Sequence, residues 1–353
     1  MALWKTRLLR LFVLVRRYPG VIAAFGFVSG LVSFFLVDRH EGFARIIAVL
    51  MLVSWVWLIL EQVLRSTVER WFGFTLPPPL LRYATQLIHQ ESLFFALPFF
   101  ATTTSWNSGQ LVFTGLLGVA ALVSITDPIY YRRLAPRRWL YLSYHTLTLF
   151  AVLLAALPVI LQLSTPDSYK LALGVAVLLS FPSVAGTLPL QRWWRGVVLV
   201  GLMAALAGAG WWLRLWVPPA TLWLHHVAVT TQIDDASREP GQSLRELDVA
   251  QLGGQGLYAY TAINAPLGLR ERIWHVWVHD GIEVDRIAID IRGGRKEGYR
   301  AWTHKQNFPV RPEGLWQVRV LTDAGQMIGT LRFRVIDAAA GAAQAPPDLP
   351  PRP

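Results

Sequence analysis

Long apolar runs broken by short basic clusters fill the first part of the chain, and a period-two alternation of apolar and polar residues takes over after Pro218 and Pro219. A bilayer-spanning helix needs about 20 mostly apolar residues, because the hydrocarbon core is roughly 30 Å thick and a helix rises about 1.5 Å per residue. Seven stretches meet that length: Tyr18 to Val37, Phe43 to Leu64, Ala84 to Thr102, Gly109 to Thr126, Leu140 to Leu163, Ser168 to Leu188 and Gly196 to Val217. The pattern therefore predicts an α-helical polytopic membrane bundle of about seven helices over residues 18–217. Beyond it the alternation predicts strands at Leu222 to Thr230, Leu257 to Ile263, Arg270 to His279, Val284 to Ile291, Tyr299 to His304, Leu315 to Leu321 and Met327 to Ile336. Turn formers such as Asp280-Gly281 and Gly293-Gly294 separate them. So many short strands predict an all-β, immunoglobulin-like sandwich over residues 218–336. Ser243 with Glu246 resembles a capping box and predicts one short helix before the second strand. Residues 337–353, rich in Ala and Pro, read as a disordered tail.

Composition agrees with a membrane protein: 54% of the 353 residues are hydrophobic and 16% charged, where a soluble globule carries about a quarter charged. Cysteine is absent, which excludes disulfides, thiolate metal sites and cysteine nucleophiles. The net charge of +11 lies wholly in the apolar part, since residues 1–217 hold 18 Lys+Arg against 7 Asp+Glu and the remainder holds 15 against 15. These cations punctuate hydrophobic runs instead of forming one basic face, so the bilayer is the expected partner and nucleic acid is not. Fourteen of the 18 fall on alternate connections, led by Lys5, Arg7, Arg10, Arg16 and Arg17. The bias of Lys and Arg toward the cytoplasm then places the amino end inside and the carboxyl-terminal domain outside. Residues 1–17 read as a retained basic segment, with Leu8, Leu11, Phe12 and Val15 on one face of an amphipathic helix lying along the inner surface. A simple topogenic flank is the alternative.

Ionisable residues inside apolar spans are costly and so are candidates for function. His89 and Glu91 fall on the third span and His145 near the inner end of the fifth. His89 and Glu91 lie about 200 degrees apart around a helix, so one small site cannot hold both. A proton or cation relay at Glu91 competes with a carboxylic acid bonded to a neighbouring helix. In the third strand, Trp274, Val276 and Val278 are expected to face the core and His275, Trp277 and His279 to face outward. On that reading Trp277, Trp302, His275, Arg300 and His304 form an outward binding surface, suited to a sugar ring, an anionic lipid head group or a protein partner. Packing of Trp277 and Trp302 is the competing reading. His275 and His279 sit about 13 Å apart along a strand, too far to ligate one ion, and no metal or cofactor is expected. No G-x-S-x-G, H-E-x-x-H or P-loop occurs, so catalysis is not expected.

The run Trp274-His275-Val276-Trp277-Val278-His279-Asp280-Gly281, followed by Gly293-Gly294-Arg295, Tyr299-Arg300-Ala301-Trp302-Thr303-His304-Lys305, Gly314-Leu315-Trp316-Gln317-Val318 and Asp323-Ala324-Gly325-Gln326, resembles a bacterial module catalogued as domain-of-unknown-function family 2914. The likeness covers residues 270–336, and the apolar part resembles the multi-spanning region that accompanies this module in proteobacterial inner-membrane proteins. Thr303 stands where the family often has serine, which keeps the hydroxyl. The resemblance implies an envelope protein of the inner membrane with a periplasmic β-domain, and implies no activity. The sequence thus leads to an inner-membrane protein presenting a sandwich that recognises an envelope glycan, a lipid head group or a periplasmic protein. The alternative is a transporter or channel using Glu91 and His89, with the β-domain as accessory.

Overall fold

The structure, a computed structural model, describes residue 28 and residues 41–59, 78–185 and 193–337. The chain divides into two compact units, Met1–Thr221 and Leu222–Pro353. The amphipathic segment 1–17, all of the first expected span except Val28, and the tail beyond Asp337 lie outside the described residues.

The first unit is helical: α1 (Glu41–Ile59), α2 (Pro78–Thr103), α3 (Gln110–Ile125), α4 (Arg138–Leu161), α5 (Thr165–Ala185) and α6 (Trp193–Trp212). Its connections are set locally. Thr126 leaves helical geometry, Pro128 in the first turn starts a short helix Asp127–Ile129, and a π-helical turn follows over Tyr130–Leu134. This segment is bent by 94° from α3. At the start of α5 the Asp167 amide donates to Ser164 Oγ, whose hydroxyl donates to the Asp167 carboxylate, 2.8 Å away.

The expected bundle of about seven spans is not what the structure contains. Among the described residues two helical stretches, Arg138–Leu161 and Gly196–Trp216, are long and apolar enough to cross a membrane, or three if the bent pair Gln110–Leu134 is one crossing. The third expected span fails because α2 strings Gln86, His89, Gln90, Glu91 and Ser92 through its middle, and the fourth because α3 has only 16 residues. Counting apolar residues in a window overlooked what these helices do with their polar side chains, which they bury against each other. His89, Ser92, Gln110, Ser124 and Thr148 are fully buried. Meanwhile α1, α3 and α6 turn Val53, Val119 and Val200 outward at 59%, 59% and 68% exposure. Apolar side chains such as Leu93, Phe100, Leu117 and Val152 fill the interior beside these polar groups, while the large apolar side chains left outside are what a water-soluble globule avoids. Where α6 meets α5, Gly210 leaves room for Leu173 and its carbonyl accepts the Tyr169 hydroxyl at 2.7 Å.

The second unit holds β1 (Trp223–Thr230), β2 (Ile233–Asp234), β3 (Glu239–Pro240), β4 (Glu246–Asp248), α7 (Val249–Gln255), β5 (Leu257–Asn264), β6 (Arg270–His279), β7 (Ile282–Arg292), β8 (Tyr299–Lys305), β9 (Gly314–Thr322) and β10 (Met327–Ile336). One sheet runs β1-β5-β8 and the other β4-β10-β9-β6-β7, with β2 and β3 forming a separate hairpin. All pairings are antiparallel except the short parallel contact of β4 with β10. The inner faces of both sheets supply one core, including Val229, Ala259, Ile263, Ile273, Trp277, Trp316, Val318, Val320, Leu331 and Phe333. Asp280 and Gly281, at φ 46° and 88°, make the tight β6–β7 turn, a conformation that Asp tolerates and that Gly, lacking a Cβ, adopts freely. The short helix before β5 starts later than Ser243 and Glu246 suggested. Asp248 caps α7, and Gln251 Oε1 accepts the Asp248 amide at 3.0 Å.

An ion pair with a buried lysine and a half-exposed aspartate joins the two sheets at their edges. Lys305 of β8, only 6% exposed, lies 3.1 Å from Asp285 of β7. Gly256 brings α7 into β5 with φ 72° and ψ −169°, and an added Cβ would sit 2.6 Å from the Lys305 carbonyl and 3.0 Å from His304 Nε2. That backbone region is open essentially to glycine alone. Gly256→Ala is expected to destabilise the β-unit by about 1–3 kcal/mol, read as faster amide exchange in β5 and β8.

Candidate functional site

The five β-unit residues singled out by sequence fall in two places. Trp277 and His275 are fully buried. The expectation that they face outward is corrected: β6 turns them inward, where Trp277 meets Phe333 edge-on at 6.3 Å. A bulge between Trp277 and Val278 breaks the alternation, and Val276 and Val278 are buried as well, so apolarity alone did not mark the core face. His275 clasps the two sheets together. Its Nε2 lies 3.1 Å from Thr261 Oγ1 of β5 and its Nδ1 3.1 Å from Thr303 Oγ1 of β8.

One tautomer satisfies every partner. The Trp277 indole N–H donates to Thr303 Oγ1 at 3.3 Å, and the Thr261 hydroxyl donates to the Ala301 carbonyl at 3.3 Å. His275 Nε2–H then donates to Thr261, and Thr303 donates to Nδ1. Burial pushes the His275 pKa down to about 4, so the ring is neutral. The hydroxyl of Thr303 is thus used twice.

The other three residues share the outer face of β8. There the register sets Tyr258 opposite His304 and Tyr260 opposite Trp302. Tyr258 and His304 stack at 4.0 Å and 5°, Tyr260 and Trp302 lie near-parallel at 6.5 Å and 14°, and His226 of β1 meets Tyr260 edge-on at 5.7 Å. Such cross-strand ring pairs stiffen a sheet and leave flat apolar faces. Beside them the β2–β3 hairpin folds over Tyr260, with Ile233 packed against it. Arg300 pins the hairpin, donating to the Ser237 carbonyl and to Glu239 Oε1, the latter at 3.1 Å. Sequence reasoning missed Tyr258, Tyr260 and His226. The Tyr-Ala-Tyr alternation in the second expected strand was the signal for the first two.

In the helical unit the structure joins His89 to His145. His89 Nε2 lies 2.9 Å from His145 Nδ1, and His89 Nδ1 lies 2.8 Å from the Tyr130 hydroxyl. Trp55 stands over the pair, its ring 4.5 Å from His145 and 5.7 Å from His89, and its N–H donates to Ser92 Oγ at 2.9 Å. Tyr141 stacks along His145 at 6.4 Å and meets the Tyr130 ring edge-on at 6.3 Å. Tyr144 meets His89 edge-on at 5.2 Å and donates to the Ala120 carbonyl at 2.8 Å. Next to these, Gln86 donates to Asp127 at 2.8 Å and accepts from Tyr131 at 2.5 Å. Glu91 is half-buried on α2. Among the described residues no three His, Asp or Glu converge in a way that could hold a metal ion.

No curated protein and no solved structure matches the chain. Two family models do. A protein of unknown function, DUF2914, matches residues 270–335, and a family of unknown function, DUF5924, matches residues 1–259. The boundary between them cuts the sandwich, since β1 and β4 fall in the DUF5924 match and β6 to β10 in the DUF2914 match. The chain belongs to the DUF5924 family and ends in a DUF2914 module.

Proposed function

We propose that this chain is a membrane-anchored protein of the bacterial inner membrane whose β-sandwich, exposed to the periplasm, recognises a sugar-containing envelope component. The observation that carries this reading is the stacked pair of Tyr258 and His304 with the partly exposed Trp302 beside it, near the Arg300 guanidinium, while Tyr260 lies buried beneath the hairpin and backs the Trp302 ring. Flat aromatic faces suit the C–H faces of a pyranose, and a guanidinium suits a carboxylate or phosphate on it. Membrane attachment through α4 and α6 fits their length and apolarity and the apolar side chains, Val197 and Val200 among them, that α6 turns outward. Arg192 and Arg195 before the apolar run of α6, against Arg214 alone at its end, favour a cytoplasmic start and an external β-unit.

Binding of muropeptides and of lipopolysaccharide core oligosaccharide to the full chain in nanodiscs, followed by calorimetric titration, tests the proposal. Trp302→Ala is expected to weaken binding about tenfold, or about 1.4 kcal/mol. Glu239→Gln, which releases Arg300 from its ion pair, is expected to strengthen binding of the anionic ligands several-fold. Equal affinities for wild type and Trp302→Ala, or no binding of any of these glycans, would exclude this face as the site.

A further inference from the structure

The geometry points to an interface on the β-unit that the aromatic face does not use: the β7 edge pairs with β7 of a second copy of this chain, antiparallel and symmetric about Ala288. β7 closes one end of the five-stranded sheet, and among the described residues its ladder partner is β6 alone. It is 11 residues long and contains neither proline nor glycine. Ile282 and Val284, next to its first turn, are 73% and 43% exposed. A bare edge of that length offers a row of free N–H and C=O groups to another strand. The opposite end of the same sheet is guarded, because β4 has only 3 residues and leads straight into α7.

The residues of β7 select a like chain as the occupant. A bulge leaves Val284 without a mate on β6, so the regular ladder begins at Asp285. From there to Ile291 the inner face carries Asp285, Ile287, Ile289 and Ile291, half-buried or buried, and the outer face carries Arg286, Ala288 and Asp290, all exposed. This segment has Ala288 at its middle. Laid antiparallel on a second copy with Ala288 opposite Ala288, Arg286 faces Asp290 of the second copy and Asp290 faces its Arg286, while Ile287 meets Ile289 on the inner side. Neighbouring registers lack that match. Centring on Arg286 sets arginine against arginine, centring on Asp290 sets aspartate against aspartate, centring on Ile289 sets Arg286 against Arg292, and centring on Ile287 forms no charged pair. Both ion-pairing groups are within reach of a partner. The Asp290 side chain is 75% exposed although it accepts from Arg272 at 2.9 Å, and the Arg286 side chain is 46% exposed although it donates to Glu283 at 2.8 Å. Strand addition draws its affinity from main-chain hydrogen bonds, and the charge register supplies the preference for a second copy over another extended chain.

The chain has no cysteine, so a single introduced thiol reports on one position without background. The test oxidises the full chain, dilute in detergent, with copper phenanthroline and reads the disulfide-linked dimer on a denaturing gel. Ala288→Cys is expected to cross-link, because Cα atoms that face each other across an antiparallel pair are about 5 Å apart, within the span of a disulfide. Asp290→Cys places its two thiols about 13 Å apart along the strands and is expected to give about tenfold less dimer. Adding Arg286→Asp to Ala288→Cys sets like charges opposite each other at both ends and is expected to lower the yield about tenfold. Asp290→Arg on top of that pair should raise it again, which separates lost pairing from lost folding. No dimer from Ala288→Cys would overturn the pairing and leave β7 bare or open to a different strand. Equal yields at positions 288 and 290, a yield indifferent to Arg286→Asp, or no recovery with the second reversal would also overturn it.

Discussion

Trp277→Ala is expected to unfold the β-sandwich without ever touching a ligand. The side chain is fully buried between the sheets, against Phe333, and its indole N–H is committed to Thr303. Removing a buried tryptophan costs about 3–5 kcal/mol, a transfer term plus a cavity that the surroundings fill only in part. The Thr303 oxygen would also lose a donor. Native stabilities are themselves only about 5–15 kcal/mol, so the loss is a large share of what holds the unit together. Amide exchange of peptides from β5, β6 and β8 in the full-length protein should rise together, because one core serves both sheets. Trp302→Ala, on the outer face, should leave those peptides close to wild type. Unchanged protection in Trp277→Ala would mean that the inward orientation of β6 is wrong.

Acid is expected to loosen the same unit through His275. The folded ring has a pKa of about 4, against 6.5 for an ordinary histidine. Between those values the unfolded chain binds a proton that the folded chain refuses, so the stability due to the neutral ring is complete above about pH 6.5 and is lost as the pH falls toward 4. The difference corresponds to about 3 kcal/mol over the window. His275→Gln should start from a lower stability, because two threonine hydroxyls and two sheets depend on the ring, yet show little slope across that range. A wild-type stability that is flat between pH 6.5 and 4, measured by the same exchange experiment, would rule out a buried neutral imidazole.

The β-unit was far more legible in the sequence than the helical unit, for a physical reason. A strand buried on one face must alternate, and β9 and β10 do so: Trp316, Val318 and Val320, then Leu331, Phe333 and Val335, reach the core while Arg332 and Arg334 stay exposed. Strand β6 misled, since it is apolar on both faces and bulged, and no single-strand pattern reveals which face meets the other sheet. The two-residue strands and β4 are too short to carry a period at all. In the helical unit hydropathy rewarded apolar exteriors and could not register interior pairing. His89 and His145 are 56 residues apart, and their contact depends on how α2 and α4 pack. Of the outer-face site, Arg300, Trp302 and His304 were legible because they follow one another with period two on one strand, whereas their ring partners sit across a strand pairing that only the register discloses.

The parallel pairing of β4 with β10 fixes when this unit can mature. Leu247 has its backbone partner in Val335, almost ninety positions later and close to the end of the last strand. A nascent chain that has emerged only as far as β9 therefore has no mate for β4, and β9 is paired with β6 on one side and left open on the edge that β10 will fill. Closure waits on β10, and a chain cut short before it keeps an unpaired edge on β9 and lacks Leu331, Phe333 and Val335 from the core, a substrate for proteolysis instead of a smaller working domain.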